Sequence, residues 1–257
     1  GLPWLRGELE RRLGFPLGAP REAVFVTNGD QYGWVQGSDG RWHYTLFVEN
    51  GRVSDHGDTR LMTGLQELAR IHDGEFRVTP NQNVIIANVA AKNKARIVEL
   101  LERHGLGRNN QASTLRLNSM SCVGLPTCGL AMAESERYLP GLITKIEPIL
   151  ARYGLADEPI TLRMTGCPNG CARPYISEIG FTGKALGKYN MYLGGGHHGQ
   201  RLNRLYLENI GEERILQELD KLFAHFAKER LDAEPFGDFV IRAGYVREVL
   251  HGKDSND

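Results

Sequence analysis

Apolar and polar positions along the chain follow two different periods. Residues 33–53, GWVQGSDGRWHYTLFVENGRV, alternate on either side of Ser38-Asp39-Gly40, a turn signal, and predict a β-hairpin. Leu61, Leu65, Leu68, Ala69 and His72 then fall at helical spacing and Gly74 closes the run, which predicts a helix over 61–72. EFRVT and NVIIANV read as strands parted around Pro80 to Asn83, and residues 92–104 as a second amphipathic helix closed by Gly105. The order β-β-α-β-β-α predicts a ferredoxin-like plait over residues 1–112, behind an N-terminal lead-in helix. The polar stretch 107–113 reads as a linker.

Residues 113–257 form the second predicted unit, an α/β domain. Pro126 and the run GLAMAESERYL predict a helix that starts near Cys128. Residues 160–165 predict a strand that breaks at Gly166, followed by strands in YISEIGFTG and KYNMYLGG. Residues 212–228 predict a helix, and FGDFVIRAG a last strand or extended segment. The fold class is α+β.

Composition narrows the function. At 41% hydrophobic residues a chain of 257 builds a substantial core. Lys plus Arg and Asp plus Glu both number 31, so the chain lacks the basic field of a non-specific nucleic-acid binder. No stretch reaches the roughly 20 apolar residues that span a bilayer, and the amino end has no signal-peptide core. These readings place the protein in the cytoplasm, away from membranes and nucleic acid. Because the sequence starts with Gly1, it reads as a piece of something longer.

The chemistry sits in the cysteines. Cys122 and Cys128 form one pair, Cys167 and Cys171 the other, each beside a proline-glycine loop. In a reducing compartment such pairs persist as metal ligands or redox groups. Structural zinc favours a C-x2-C knuckle, whereas the gaps here are five and three residues, with 38 between the pairs. Four thiolates on long loops suit a [4Fe-4S] cluster better; a four-cysteine zinc site stays open as the alternative. A helix start at Cys128 would favour its thiolate through the helix dipole. Gly194-Gly195-Gly196 with His197 and His198 lacks the lysine and hydroxyl of a phosphate loop and reads as a cofactor-rim loop with solvated histidines. Trp34 and Trp42 read as packing residues.

Cys122-Val-Gly-Leu-Pro-Thr-Cys128, together with Thr165-Gly-Cys-Pro-Asn-Gly-Cys171 and the Ala-Arg-Pro that follows, resembles the cluster signature of the sirohaem-containing sulfite and nitrite reductases. MAESERYLP, KYNMYLGGG, FGDFVIRAG, DQYGW, WHYTLFVENGR and VTPNQNVIIA resemble the haemoproteins of assimilatory sulfite reduction. The resemblance spans nearly the whole chain but only the carboxy-terminal half of the family's usual length. It implies six-electron reduction of sulfite to sulfide, with Cys122, Cys128, Cys167 and Cys171 holding a [4Fe-4S] cluster and Cys171 bridging to the sirohaem iron. It further implies that Asn81, Gln82 and Asn83 turn amides toward the macrocycle, with Thr165 and Asn169 nearby. On composition alone Asn81 to Asn83 would be a polar turn. The implied partners are sulfite, an electron-donor flavoprotein subunit or ferredoxin, with the NADPH system favoured, and an amino-terminal half of the same protein. Nitrite reduction with the same ligands, and a non-catalytic four-cysteine metal module, are the alternatives. One departure from the family stands out: the anionic macrocycle and substrate need clustered cations, whereas this half offers only scattered ones, Arg163, Arg173, Lys184, Arg201 and Arg204.

Overall fold

The computed structural model describes residues 1–22 and 28–256. After the lead-in helix α1 (Leu2–Leu13), strands β1 (Gly33–Gln36) and β2 (Trp42–Leu46) form the expected hairpin. A minor hairpin, β3 (Asp55–His56) and β4 (Thr59–Arg60), leads into α2 (Leu61–Ile71). Then come β5 (Glu75–Val78), β6 (Val84–Val89) and α3 (Ala91–Arg103). The antiparallel sheet runs β1-β2-β6-β5, with β6 between β2 and its sequence neighbour β5. Tyr44, Leu46 and Ile86 from the sheet pack against Leu61, Leu68, Ile97, Leu100 and Leu101 from the helices, so each helix buries one stripe. Gly64 on α2 is required by contact: a Cβ there would lie 2.8 Å from Leu106 Cδ1.

The segment read as a linker is packed instead. Residues 106–111 form a 3-10 turn in which Leu106 is fully buried. Asn110 accepts from the amide of Phe47 at 2.8 Å and donates to the Thr45 carbonyl at 2.9 Å, so its polar side chain finishes the edge of β2 rather than facing water.

The second sheet is mixed, in the order β11-β10-β9-β8-β7. A short α4 (Thr114–Leu117), capped by the Ser113 hydroxyl, enters β7 (Ser119–Ser121). Helix α5 (Leu139–Arg152) crosses over to β8 (Leu162–Thr165), parallel to β7, and β9 (Ile179–Ala185) is parallel to β8 in turn. Antiparallel β10 (Lys188–Leu193) and β11 (Arg204–Ile210) complete the sheet, and α6 (Glu212–Glu229) and α7 (Phe236–Arg242) cover it. Leu162, Met164, Phe181 and Met191 meet Leu142, Ile146, Leu219, Phe223, Phe226 and Phe239 in one core.

Two expectations fail here. FGDFVIRAG is helix α7, because Phe236, Phe239 and Val240 lie on one helical face, with both phenylalanine rings against Phe226 at 5.1–5.4 Å. Residues 129–138 are turns rather than helix, and α5 begins only at Leu139. Their amides are drawn elsewhere: Met132 and Ala133 both donate to the Gly166 carbonyl, at 2.7 and 3.0 Å. Cys128 therefore sits at no helix amino terminus.

Ion pairs join the two sheets. Arg52 makes a two-pronged pair with Glu136 at 2.6 and 2.5 Å, and Arg116 bridges Glu49 and Glu147. No helix among the described residues is long and apolar enough to cross a membrane.

Candidate metal centre

Both cysteine loops leave the carboxyl ends of neighbouring parallel strands. Cys122 follows β7 directly and Cys167 lies two residues past β8. The Cys122 amide donates to the Met164 carbonyl at 3.1 Å, so the ladder between the strands continues into the first loop. Adjacent strands lie about 4.8 Å apart, so the topology alone brings together residues that the sequence separates by more than forty positions.

Gly166 is the hub between the loops. Its carbonyl takes the Met132 and Ala133 amides and its own amide donates to Cys122 Sγ at 3.2 Å. A Cβ at this position would come within 2.6 Å of the Ala133 carbonyl oxygen and 3.1 Å of Gly124 Cα, so only glycine fits. The first loop folds on itself through Cys128 N to Gly124 O at 2.8 Å and Ala131 N to Cys128 O at 3.1 Å. The second is shaped by Gly170, at φ +70°, and by the Tyr175 hydroxyl, which donates to the Pro168 carbonyl at 3.0 Å. Burial, followed by Tyr192, pushes the Tyr175 phenol up to about 12, so it remains a donor at neutral pH.

All four cysteines are free thiols: Cys167 is buried, Cys122 and Cys128 are half-buried and Cys171 is exposed. Among the described residues, no three histidine, cysteine or acidic side chains converge as they would on a single metal ion. A [4Fe-4S] cubane makes a different demand, because each cysteine binds its own iron corner and the sulfurs stand further apart. An amide aimed at Cys122 Sγ suits such a thiolate, since hydrogen bonds to sulfur tune cluster potentials. The donor set fits the cluster that the motifs imply.

The plait lends one loop to this centre. Arg173, two residues past Cys171, donates to the Pro80 carbonyl at 2.7 Å and to Asn81 Oδ1 at 3.3 Å. Gln82 donates to the carbonyl of Ser121, beside Cys122, at 2.7 Å. Asn81 and Gln82 thus reach the cysteine-loop region from the turn between β5 and β6, whereas Asn83 does not. Their side chains differ in freedom. The Asn83 amide is buried and committed to Asp30, Tyr32 and the Val48 amide. Gln82 Oε1 and the neighbouring Ser121 Oγ are buried without a partner among the described residues, leaving hydrogen-bonding capacity at the cysteine end of β7. Thr165 is buried and donates to the Cys167 carbonyl at 3.0 Å, while Asn169 is exposed at the loop tip.

Two features escaped sequence reasoning. The Arg52–Glu136 pair clamps the first cysteine loop to the plait, and neither residue carries a local signal. Glu178 is buried and accepts from Thr161 N, Thr161 Oγ1 and Gly237 N at 2.8–3.1 Å, with His197 Nδ1 at 3.2 Å. His197 is therefore half-buried and paired rather than solvated. The clue lay in a charged residue inside the apolar run ISEIGF.

Residues 35–104 match the family described as Nitrite/Sulfite reductase ferredoxin-like half domain. The fold is mixed α+β, and the matched half domain takes in the elements from β2 to α3. The whole chain is 62% identical to 44% of the sulfite reductase [NADPH] hemoprotein beta-component of Afipia carboxidovorans, and 59% identical to 45% of that of Geobacillus thermodenitrificans. The likeness read from the cysteine motifs is thus found along the full chain, which spans less than half the length of these relatives. In three dimensions it is similar to the Mycobacterium tuberculosis NirA protein, with a TM-score of 0.74 and 27% identity over 95% of this chain and 46% of that one.

Proposed function

We propose that this chain is the cluster-bearing, carboxy-terminal part of a cytoplasmic sulfite reductase haemoprotein, with Cys122, Cys128, Cys167 and Cys171 as the thiolates of a [4Fe-4S] cluster and the exposed Cys171 as the sulfur shared with a sirohaem iron. The carrying observation is that the four thiols sit on two loops leaving adjacent parallel strands and locked together through Gly166. When bound, the coupled cofactors would relay to sulfite the six electrons that an external donor provides for its reduction to sulfide. The chain's own part is positional. Gly166 directs an N–H at Cys122 sulfur, buried Cys167 is shielded from water, and Cys171 is presented outward, where a larger group has room.

Gln82 and Asn81, brought to the same end by Ser121 and Arg173, form the wall beside it. The names of the relatives favour an NADPH-linked flavoprotein as electron donor and sulfite as substrate. Anaerobic reconstitution followed by iron and acid-labile sulfide analysis and an optical spectrum tests this reading. Four irons and four sulfides per chain, with a chlorin-type band once sirohaem is added, are expected. Stoichiometric zinc with no labile sulfide would reject the reading.

A further inference from the structure

Three asparagines in the chain are followed by glycine, at Asn28-Gly29, Asn50-Gly51 and Asn169-Gly170. Asparagine is a thermolabile residue, and a following residue without a side chain lets its backbone nitrogen approach the carboxamide carbon. The fold treats the three pairs unequally. Asn50 is buried, its amide donates to the Glu136 carbonyl at 3.3 Å, and the Gly51 nitrogen donates to Val48 O at 3.0 Å. Asn28 is half-buried and its amide donates to the His197 carbonyl.

Asn169 is exposed at the tip of the second cysteine loop, and among the described residues neither its carboxamide nor the Gly170 nitrogen makes a hydrogen bond. The bonds that hold this loop lie around that pair of groups. Thr165 donates to the Cys167 carbonyl at 3.0 Å, the Tyr175 hydroxyl to Pro168 O at 3.0 Å, and the Arg173 amide to Gly170 O at 2.7 Å. Glycine is also demanded at position 170, where φ is +70° and a Cβ would lie 3.0 Å from the Tyr175 ring. The turn that shapes the loop therefore keeps the most reactive kind of neighbour beside an asparagine whose amide is not held.

We propose that Asn169-Gly170 is a site of spontaneous covalent modification, cyclising to a succinimide that opens to aspartate or isoaspartate. The Gly170 nitrogen bonds to the Asn169 side-chain carbonyl carbon, its proton and the carboxamide nitrogen leave together as ammonia, and one water then opens the ring at either carbonyl. No oxidant or reductant is consumed. Opening at the backbone carbonyl leaves isoaspartate, which inserts one methylene, about 1.5 Å of chain, between Cys167 and Cys171. Both products put a carboxylate between the two thiols. On the ligand reading proposed above, on which this consequence alone rests, the altered loop takes up a cluster less well.

The metal-free folded chain is held at mildly alkaline pH beside a urea-unfolded sample, and both are mapped by mass spectrometry after digestion, with isoaspartyl methyltransferase labelling as a second readout. In the folded chain Asn169 should convert at least tenfold faster than Asn28 or Asn50, whereas in urea the three should convert at comparable rates. Asn169→Gln, which would have to close a slower six-membered ring, should abolish conversion in that peptide. If this variant does not fold, the folded and unfolded samples of the unmutated chain carry the comparison. Equal rates at the three asparagines of the folded chain, or no conversion at Asn169, overturn the site. Iron uptake on anaerobic reconstitution separates the two claims: a fresh chain that takes up no iron counts against the ligand reading, and equal uptake by fresh and converted chains overturns the consequence for loading.

Discussion

The amide of Gly166 donates to the sulfur of Cys122 over 3.2 Å, so a residue without a side chain ties one cysteine loop to the other. The same residue accepts two amides from the far end of the first loop. Cysteine positions therefore depend on a junction whose backbone part, from Met132 and Ala133 to the Gly166 carbonyl, involves no cysteine side chain.

Replacing Gly166 by alanine should break that junction. The new Cβ would meet the Ala133 carbonyl oxygen at 2.6 Å, and backbone cannot yield as a flexible side chain does. Overpacking of this kind costs on the order of 1–3 kcal/mol. A lowered melting temperature together with reduced iron after reconstitution is the expected result of calorimetry and metal analysis.

Each cysteine should be needed for the cluster. Serine exchanges a soft thiolate for a weakly acidic hydroxyl, so Cys122→Ser and Cys167→Ser should lose most iron and labile sulfide. Cys171→Ser should in addition disturb the haem spectrum in sirohaem-loaded protein. Full iron and sulfide content in any of these variants would count against the ligand set.

His197 should make stability pH-dependent. The Glu178 carboxylate raises its pKa above the ordinary 6.5, outweighing burial. A raised folded-state pKa adds stability that is fully present below 6.5 and is lost as pH climbs through the folded value. The melting temperature should therefore fall as pH rises above 6.5, and His197→Asn should flatten that slope. Parallel slopes in the two proteins would show that the pair contributes nothing.

The 257-residue chain alone should not reduce sulfite at an enzymatic rate. Catalysis on an anion needs several preorganised cations, and losing a single such donor typically costs about a hundredfold or more. Arg173 lies two residues past Cys171 and Arg163 is buried on β8, while Arg201 is turned away onto Asp238. Oxidation of reduced methyl viologen by sulfite should stay near background, and co-expression with the missing part of the relatives should restore it.

Much of this architecture was legible in the residues. The hairpin around Ser38-Asp39-Gly40, α2, α3 and α6 follow their periods to within a residue or two, because each buries a single stripe. The cysteine motifs carried the family likeness. What escaped was decided at long range. Residues 129–138 carry helix-forming side chains, but their backbone is captured by Gly166, 33 or more residues from Met132 and Ala133. FGDFVIRAG has strand-like composition, and only packing on Phe226 reveals the helical spacing of Phe236, Phe239 and Val240. The Arg52–Glu136 clamp joins residues 84 apart that have no local signature.

The hydrogen bonds that shape the two loops run mostly between backbone atoms, and the Gly166 amide adds one to the Cys122 sulfur. The proposed cluster site is accordingly shaped largely by the chain's own backbone. Metalloproteins that fold around their metal spend binding free energy on ordering the chain. Here that ordering is done by β7, β8 and Gly166, so loading becomes insertion into a finished mould, and an emptied protein should keep its shape and remain ready for refilling.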